Sequence, residues 1–243
     1  MSSLHTSLTC ASWLCGCPPP PPPNPPAASG GVLSEQSHPS SPHQPLFLPS
    51  TWRPRKPPLK RGEGAGKLLF IDAHVAGAAG DMLVAALLDL GVPTTVVEGA
   101  VGAMGLSHVT CRVEATQRSA ITAPLFSVDD GASQPYRDYA AIRHLLANSS
   151  LPRGARAIAS RAFRLLAEAE ACMHGMSVDD VHFHEVGAVD SIVDMVAAAA
   201  AIDYLAPLHI AASPLPMARG IITGAVHGPL PSPAPATLEI LCR

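Results

Sequence analysis

The sequence predicts an α/β body, a mixed sheet with packed helices, preceded by a disordered Pro/Ser-rich tail. Three observations carry this. Along residues 67–243, short strand-like stretches alternate with segments of helical spacing, the order expected when helices pack on a sheet. Proline use changes near residue 66: residues 1–66 hold fifteen of the 26 prolines. Charge changes sign at the same place. Residues 1–66 carry five basic and two acidic residues, net +3. Residues 67–243 carry eleven and seventeen, net −6, and the two sum to the chain's −3.

The tail, residues 1–66, has too little apolar surface to offset its ordering entropy. Its six consecutive prolines at 18–23 favour polyproline II. A serine-rich, acid-poor, Arg-bearing N-terminus has the character of a transit peptide to a plastid or mitochondrion; the alternative is an unselected leader on a cytoplasmic protein. "SLTCASWLCGC" is too short and too weakly apolar for a secretory core. No run approaches the roughly 18 apolar residues of a membrane span.

In the body, "KLLFID" (67–72) predicts a short buried strand, followed by the Gly-rich turn "AGAAG" (76–80). "DMLVAALLDLG" (81–91) has helical composition and ends on a glycine two residues before Pro93. "TTVVEGAVGAMG" (94–105) predicts a second helix, entered through a threonine cap. "HVTCRVEATQ" (108–117) alternates apolar and polar residues as a half-buried strand, and "AITAPLFSV" (120–128) is its partner. "YRDYAAIRHLLANS" and "LPRGARAIASRAFRLLAEAEACMHG" are amphipathic helices; Pro152 suits the first turn of the second and Gly175 its end. A nearly pure apolar helix (188–205), two short strands (about 209–212 and 220–226) and a proline-led helix in "PAPATLEIL" complete the order.

Composition excludes some function classes. Residues 67–243 contain a single lysine, Lys67, and no basic stripe, so neither nucleic acid nor an acidic membrane surface is an expected partner. Cys111, Cys172 and Cys242 are odd in number, widely spaced and without a CxxC pair, which points to a reducing compartment.

Three segments carry candidate chemistry. In "HFHE", His182 and His184 share a face if the backbone is extended, and Glu185 adds an oxygen. Neutral imidazoles suit nickel, zinc, copper or iron. The plain alternative is one hydrogen-bonded and one solvent-facing histidine. The helix that follows carries Asp190 and Asp194 at i, i+4, on one face of an otherwise apolar segment. A helix N-terminus favours acid at Asp190, but the effect fades by Asp194. A buried carboxylate must meet a cation, a donor or a proton. These five, with His227 in the loop after the last strand, are the metal-ligand candidates.

In "IDAHVAGAAGD", free N–H groups at a helix start could hold a phosphate. Asp72, Gly77, Gly80 and Asp81 are its candidates, although neither a Walker loop nor GxGxxG is present.

"GDMLVAALLDLGVP", "FHEVGAVDSIVDMVAAAAAIDYL", "SPLPMARG" and "HGPLPSPAPATLEIL", in this order, resemble the LarC family of nickel-insertion proteins. The resemblance covers about residues 67–243 and implies nickel chelatase activity. The family inserts nickel into pyridinium-3,5-bisthiocarboxylic acid mononucleotide with consumption of CTP, with Mg or Mn as its companion ion. The product is the nickel-pincer nucleotide cofactor of lactate racemase. Where the family usually has "CFSGISGDM"-like residues, Ala73 and Ala76 stand in place of a cysteine and a serine; Gly77, Gly80 and Asp81 are kept. The resemblance also implies that residues 67–243 are the N-terminal part of a longer architecture, truncated here, whose C-terminal domain would be a partner. Two other readings stay open: a non-catalytic metal-binding or scaffold fragment, and a metal-dependent hydrolase, for which no HExxH motif is present.

Overall fold

The computed structural model describes residues 52–54, 56–106, 109–118, 120–130, 137–183, 188–223 and 228–243. The expected disorder before residue 52 lies outside the described residues. The α/β class holds. Strand β1 (Leu68–Ile71) leads to helices α1 (Gly80–Leu90) and α2 (Thr94–Ala103), then to the hairpin β2 (Thr110–Arg118) and β3 (Ile121–Asp129). Helices α3 (Tyr139–Asn148) and α4 (Arg153–His174) follow, then a 3-10 turn at Val178–Asp180 and helix α5 (Val189–Leu205). Strands β4 (His209–Ala212), β5 (Gly220–Ile222) and β6 (Leu230–Ser232) precede helix α6 (Pro235–Leu241).

Among the described residues the strands form three two-stranded ladders rather than one sheet. β1 and β4 are parallel, with Leu69 beside Ile210; β2–β3 and β5–β6 are antiparallel. The alternation read in 108–117 is visible in the hairpin, where Cys111 and Val113 are buried and Arg112 and Glu114 exposed.

Helix ends follow local chemistry. Gly91 stops α1 at φ 117°, a conformation that costs a β-carbon-bearing residue, and its N–H reaches the carbonyls of Leu87 and Leu88. Asp138 caps α3, its Oδ1 accepting from the Ala141 N–H at 2.7 Å. The threonine cap expected for α2 is not used: Pro93 holds the N-cap position, and Thr94 is already helical. Pro152 likewise sits at the N-cap of α4, one residue earlier than the first turn.

The core is built around α5. Ten of its residues are buried, including the run Ala197, Ala198, Ala199, Ala200 and Ala201, and it packs against α1, α2 and α4. Small side chains let helix axes approach closely, while Phe163, Ile192 and Leu146 fill the larger gaps. Each large buried side chain contributes about 1.5–3 kcal/mol. A second cluster, Leu69, Leu87, Leu90, Val92, Ala201 and Leu205, joins β1 to the ends of α1 and α5.

The packed body begins ahead of residue 67, inside the stretch expected to be a tail. Trp52 lies in the main core. The Leu59 N–H donates to the Gly91 carbonyl at 2.8 Å, and the Tyr204 hydroxyl donates to the Leu59 carbonyl at 2.9 Å. Gly62 and Gly64 N–H groups donate to Tyr204 and Leu205 carbonyls, and Arg61 pairs with Asp203 at 2.8 Å. High proline content averaged over residues 1–66 conceals this local docking. No helix among the described residues is long and apolar enough to cross a membrane.

Candidate functional site

The C-terminal ends of the parallel strands β1 and β4 point the same way, and both run into loops. A crevice outside the carboxyl ends of parallel strands is where α/β proteins place ligands. After β1, Asp72 accepts the His74 N–H at 3.1 Å, and the Gly77 N–H closes on the Ala73 carbonyl at 2.9 Å. Gly77 has φ 71°, the left-handed conformation this tight turn needs. After β4, Ser213 holds the turn in place: its Oγ accepts the Ala73 N–H at 2.8 Å, and its own N–H donates to the Ile71 carbonyl.

The turn delivers the start of α1 against α5. Gly80 touches Asp194 so closely that a β-carbon there would lie 2.6 Å from the Asp194 Cβ and 2.8 Å from Oδ2. A larger residue at 80 would have to displace the Asp194 side chain or part the two helices. The Asp81 backbone N–H acts on the Asp194 carboxyl, favouring its charged form. Oδ1 of the same carboxylate is buried without a hydrogen-bond partner among the described residues. Burial, then Asp81, then Asp190 push the Asp194 carboxyl up to about 7, against the pull of the Asp81 N–H. Cys111 on β2 is buried beside it; burial, with the Asp194 charge adding, pushes its thiol up to about 12.

This answers how an apolar helix tolerates two acids. Asp190 is exposed in the first turn, its Oδ1 accepting the Ser191 N–H at 2.6 Å. Asp194 is half-buried against a helix N-terminus, where negative charge is favoured and proton uptake relieves the rest. A carboxyl pushed up to about 7 can take up or release a proton near neutrality.

The structure brings together Gly80, Asp81, Asp190 and Asp194, with Asp72 and Gly77 in the adjoining turn. His182 lies elsewhere: Val181 and Phe183 point into the core, His182 is exposed, and it bridges to Asp138 at the start of α3. Its outward direction follows from strand alternation. His184, Glu185 and His227 lie outside the described residues. Among those described, no group of three or more His, Cys, Asp or Glu side chains is arranged to hold a metal ion. Sequence reasoning missed Ser213 and Cys111. Ser213 begins "SPLPMARG", a segment already conspicuous for its resemblance, whereas nothing local marks Cys111.

Residues 69–243 match the family described as nickel insertion protein. The chain belongs to that family. Two relatives named for nickel insertion, from Geobacter metallireducens and Geobacter sulfurreducens, are each 51% identical over 177 residues, 72% of this chain and 45% of theirs. A third, from Geotalea daltonii, is 47% identical over the same span. The chain thus spans about 45% of the length of the curated relatives it matches. No solved structure matches it. Family membership makes nickel the metal of interest among those the histidine and carboxylate candidates could bind.

Proposed function

We propose that this chain takes part in inserting nickel into pyridinium-3,5-bisthiocarboxylic acid mononucleotide, the CTP-dependent step that makes the nickel-pincer nucleotide of lactate racemase. The observation that carries the reading is the family match over residues 69–243. Nickel is cargo here, not a resident cofactor. The loops beyond the carboxyl ends of β1 and β4 take the mononucleotide, with the Gly77–Asp81 turn facing its anionic end. Metal insertion releases protons from the ligand. Asp194 is our candidate to accept one, a role supported by a carboxyl pushed up to about 7. His182, His184, Glu185, Asp190 and His227 are the candidates that pass nickel to the site. Residues 1–51, ahead of the packed segment that starts at Trp52, remain our candidate for an organellar address, and CTP with Mg or Mn for the co-substrate.

A second reading has its own support: the chain spans about 45% of its relatives. On that reading it is a metal- and substrate-binding module that works with the remainder of the family architecture. CTP handling needs cationic clamps, and Lys67 is the single lysine in residues 67–243.

The test is calorimetric titration of the full chain with Ni²⁺ and with the mononucleotide, then assay of apo lactate racemase activation with CTP and Mg²⁺ or Mn²⁺. The Geobacter metallireducens relative is the control. Binding of both ligands is expected, with nickel affinity weakened about tenfold or more in the His182→Ala/His184→Ala variant. Binding of neither would overturn the reading. Activation matching the control would make the chain sufficient and remove the second reading.

A further inference from the structure

The open edge of β4 is the feature that neither the core nor the site explains. β1 and β4 form a two-stranded parallel ladder among the described residues. Parallel sheets are normally covered on both faces, and a lone pair of strands is marginal in water. Leu69 and Ile210 are register partners, so their side chains share one face. Leu69 is 8% exposed, covered by the ends of α1 and α5, but Ile210 beside it is 52% exposed. The helical layer stops one strand short. Leu208 just before β4 is 64% exposed, and Met217 in the loop after it is 55% exposed. From residue 206 to residue 243 no described residue is buried.

An unpaired apolar edge of this kind invites another strand. Two occupants fit poorly. The proline-rich residues 1–51 are short of backbone donors for a ladder, and they lie outside the family match. A second copy would pair β4 with β4 and leave more than half of each relative's length without a role here. β4 itself lies inside the family match.

We propose that the open edge and uncovered face of β4 dock the remaining part of the nickel insertion architecture, which adds a strand beside β4 and covers Leu208 and Ile210. The loop leaving β4 carries Ser213, which holds the Ala73 turn, so the docked part lies alongside that turn. This inference rests on family membership and not on the proposed chemistry, and its test contains no nickel.

The test compares amide hydrogen exchange in this chain and in the complete Geobacter metallireducens relative. The amides of residues 208–212 that do not bond to β1 should exchange at least about tenfold more slowly at the aligned positions of the relative. Ile210→Lys should leave the thermal midpoint of this chain unchanged, and lower that of the relative when made at the aligned position. Equal exchange in the two proteins would overturn the proposal. So would protection in this chain that disappears on dilution, which would identify a second copy. Protection in this chain that disappears on removal of residues 1–51 would do the same and identify its own tail.

Discussion

Helix α5 and the stretch that follows it are adjacent in sequence and opposite in character. Ten of the residues in Val189–Leu205 are buried. In 206–243, three strands and a helix form without a single buried residue among those described. Backbone hydrogen bonding makes both regular, yet only burial beats the entropy of ordering a chain. The difference teaches that regular secondary structure does not by itself mark a completed core.

The comparison breaks most visibly under truncation of side chains. Phe163→Ala on α4, which removes a side chain fully buried against α5, should destabilise by about 3–5 kcal/mol. Ile221→Ala on β5, where the side chain is 72% exposed, should fall within about 0.5 kcal/mol of zero. Urea unfolding measures both. Similar losses at the two positions would mean that the C-terminal stretch is packed after all.

The N-terminal docking segment is the next largest. Removing residues 1–51 should leave the body's thermal midpoint unchanged, because Trp52 and the segment after it are kept. Removing residues 1–66 discards the Leu59, Gly62 and Gly64 backbone bonds and the Arg61–Asp203 pair. At about 0.5–1 kcal/mol for each backbone bond and about 2 kcal/mol for the burial of Trp52, the loss should be on the order of 4 kcal/mol. Equal midpoints for the two deletions would show that this docking contributes nothing.

Much of the fold was legible because its signals are local. Gly91 after an apolar run ends α1, alternation across 110–117 makes the β2–β3 hairpin, and Gly175 closes α4. The unread parts are long-range. Gly80 and Asp194 meet only when β1, α1 and α5 have packed, and neither residue's neighbours announce the other. The carboxylate pair itself was legible from its i, i+4 spacing, since two acids in an apolar helix demand a reason. What that reason is came from tertiary contact with a helix start. The HxH alternation was also legible, but alternation alone does not say which face is buried, and His182 lies on the exposed one.

The Gly80–Asp194 contact sharpens the comparison at one atom. Gly80→Ala places a methyl 2.6 Å from the Asp194 Cβ, an atom bonded directly to the α5 backbone. Overpacking should cost about 1–3 kcal/mol. Gly99→Ala on α2, where an added Cβ meets nothing within 4 Å, should instead gain up to about 1 kcal/mol from helix propensity. Opposite signs from one chemical change separate the closed contact from open helix surface. A stabilising Gly80→Ala would refute the close approach.

The smallest effect concerns the proton on Asp194. Its folded pKa is about 7, raised from an ordinary value of 3.8 by burial first and by Asp81 and Asp190 next. The folded chain therefore holds this proton more tightly than the unfolded chain. The stabilisation it brings is fully present below about pH 4. It is lost progressively as pH rises through about 7, because the unfolded state binds fewer protons over that window. Asp194→Asn keeps the shape and removes the titration. The variant should match the native chain near pH 4 and exceed it above pH 7. The gain should be on the order of 1 kcal/mol, since a partly exposed carboxylate is screened by water. Thermal midpoints of both proteins across pH 4–8 give the difference directly, with titrating groups remote from Asp194 cancelling. A difference constant with pH would show that Asp194 is ionised throughout, and would remove it as a proton acceptor.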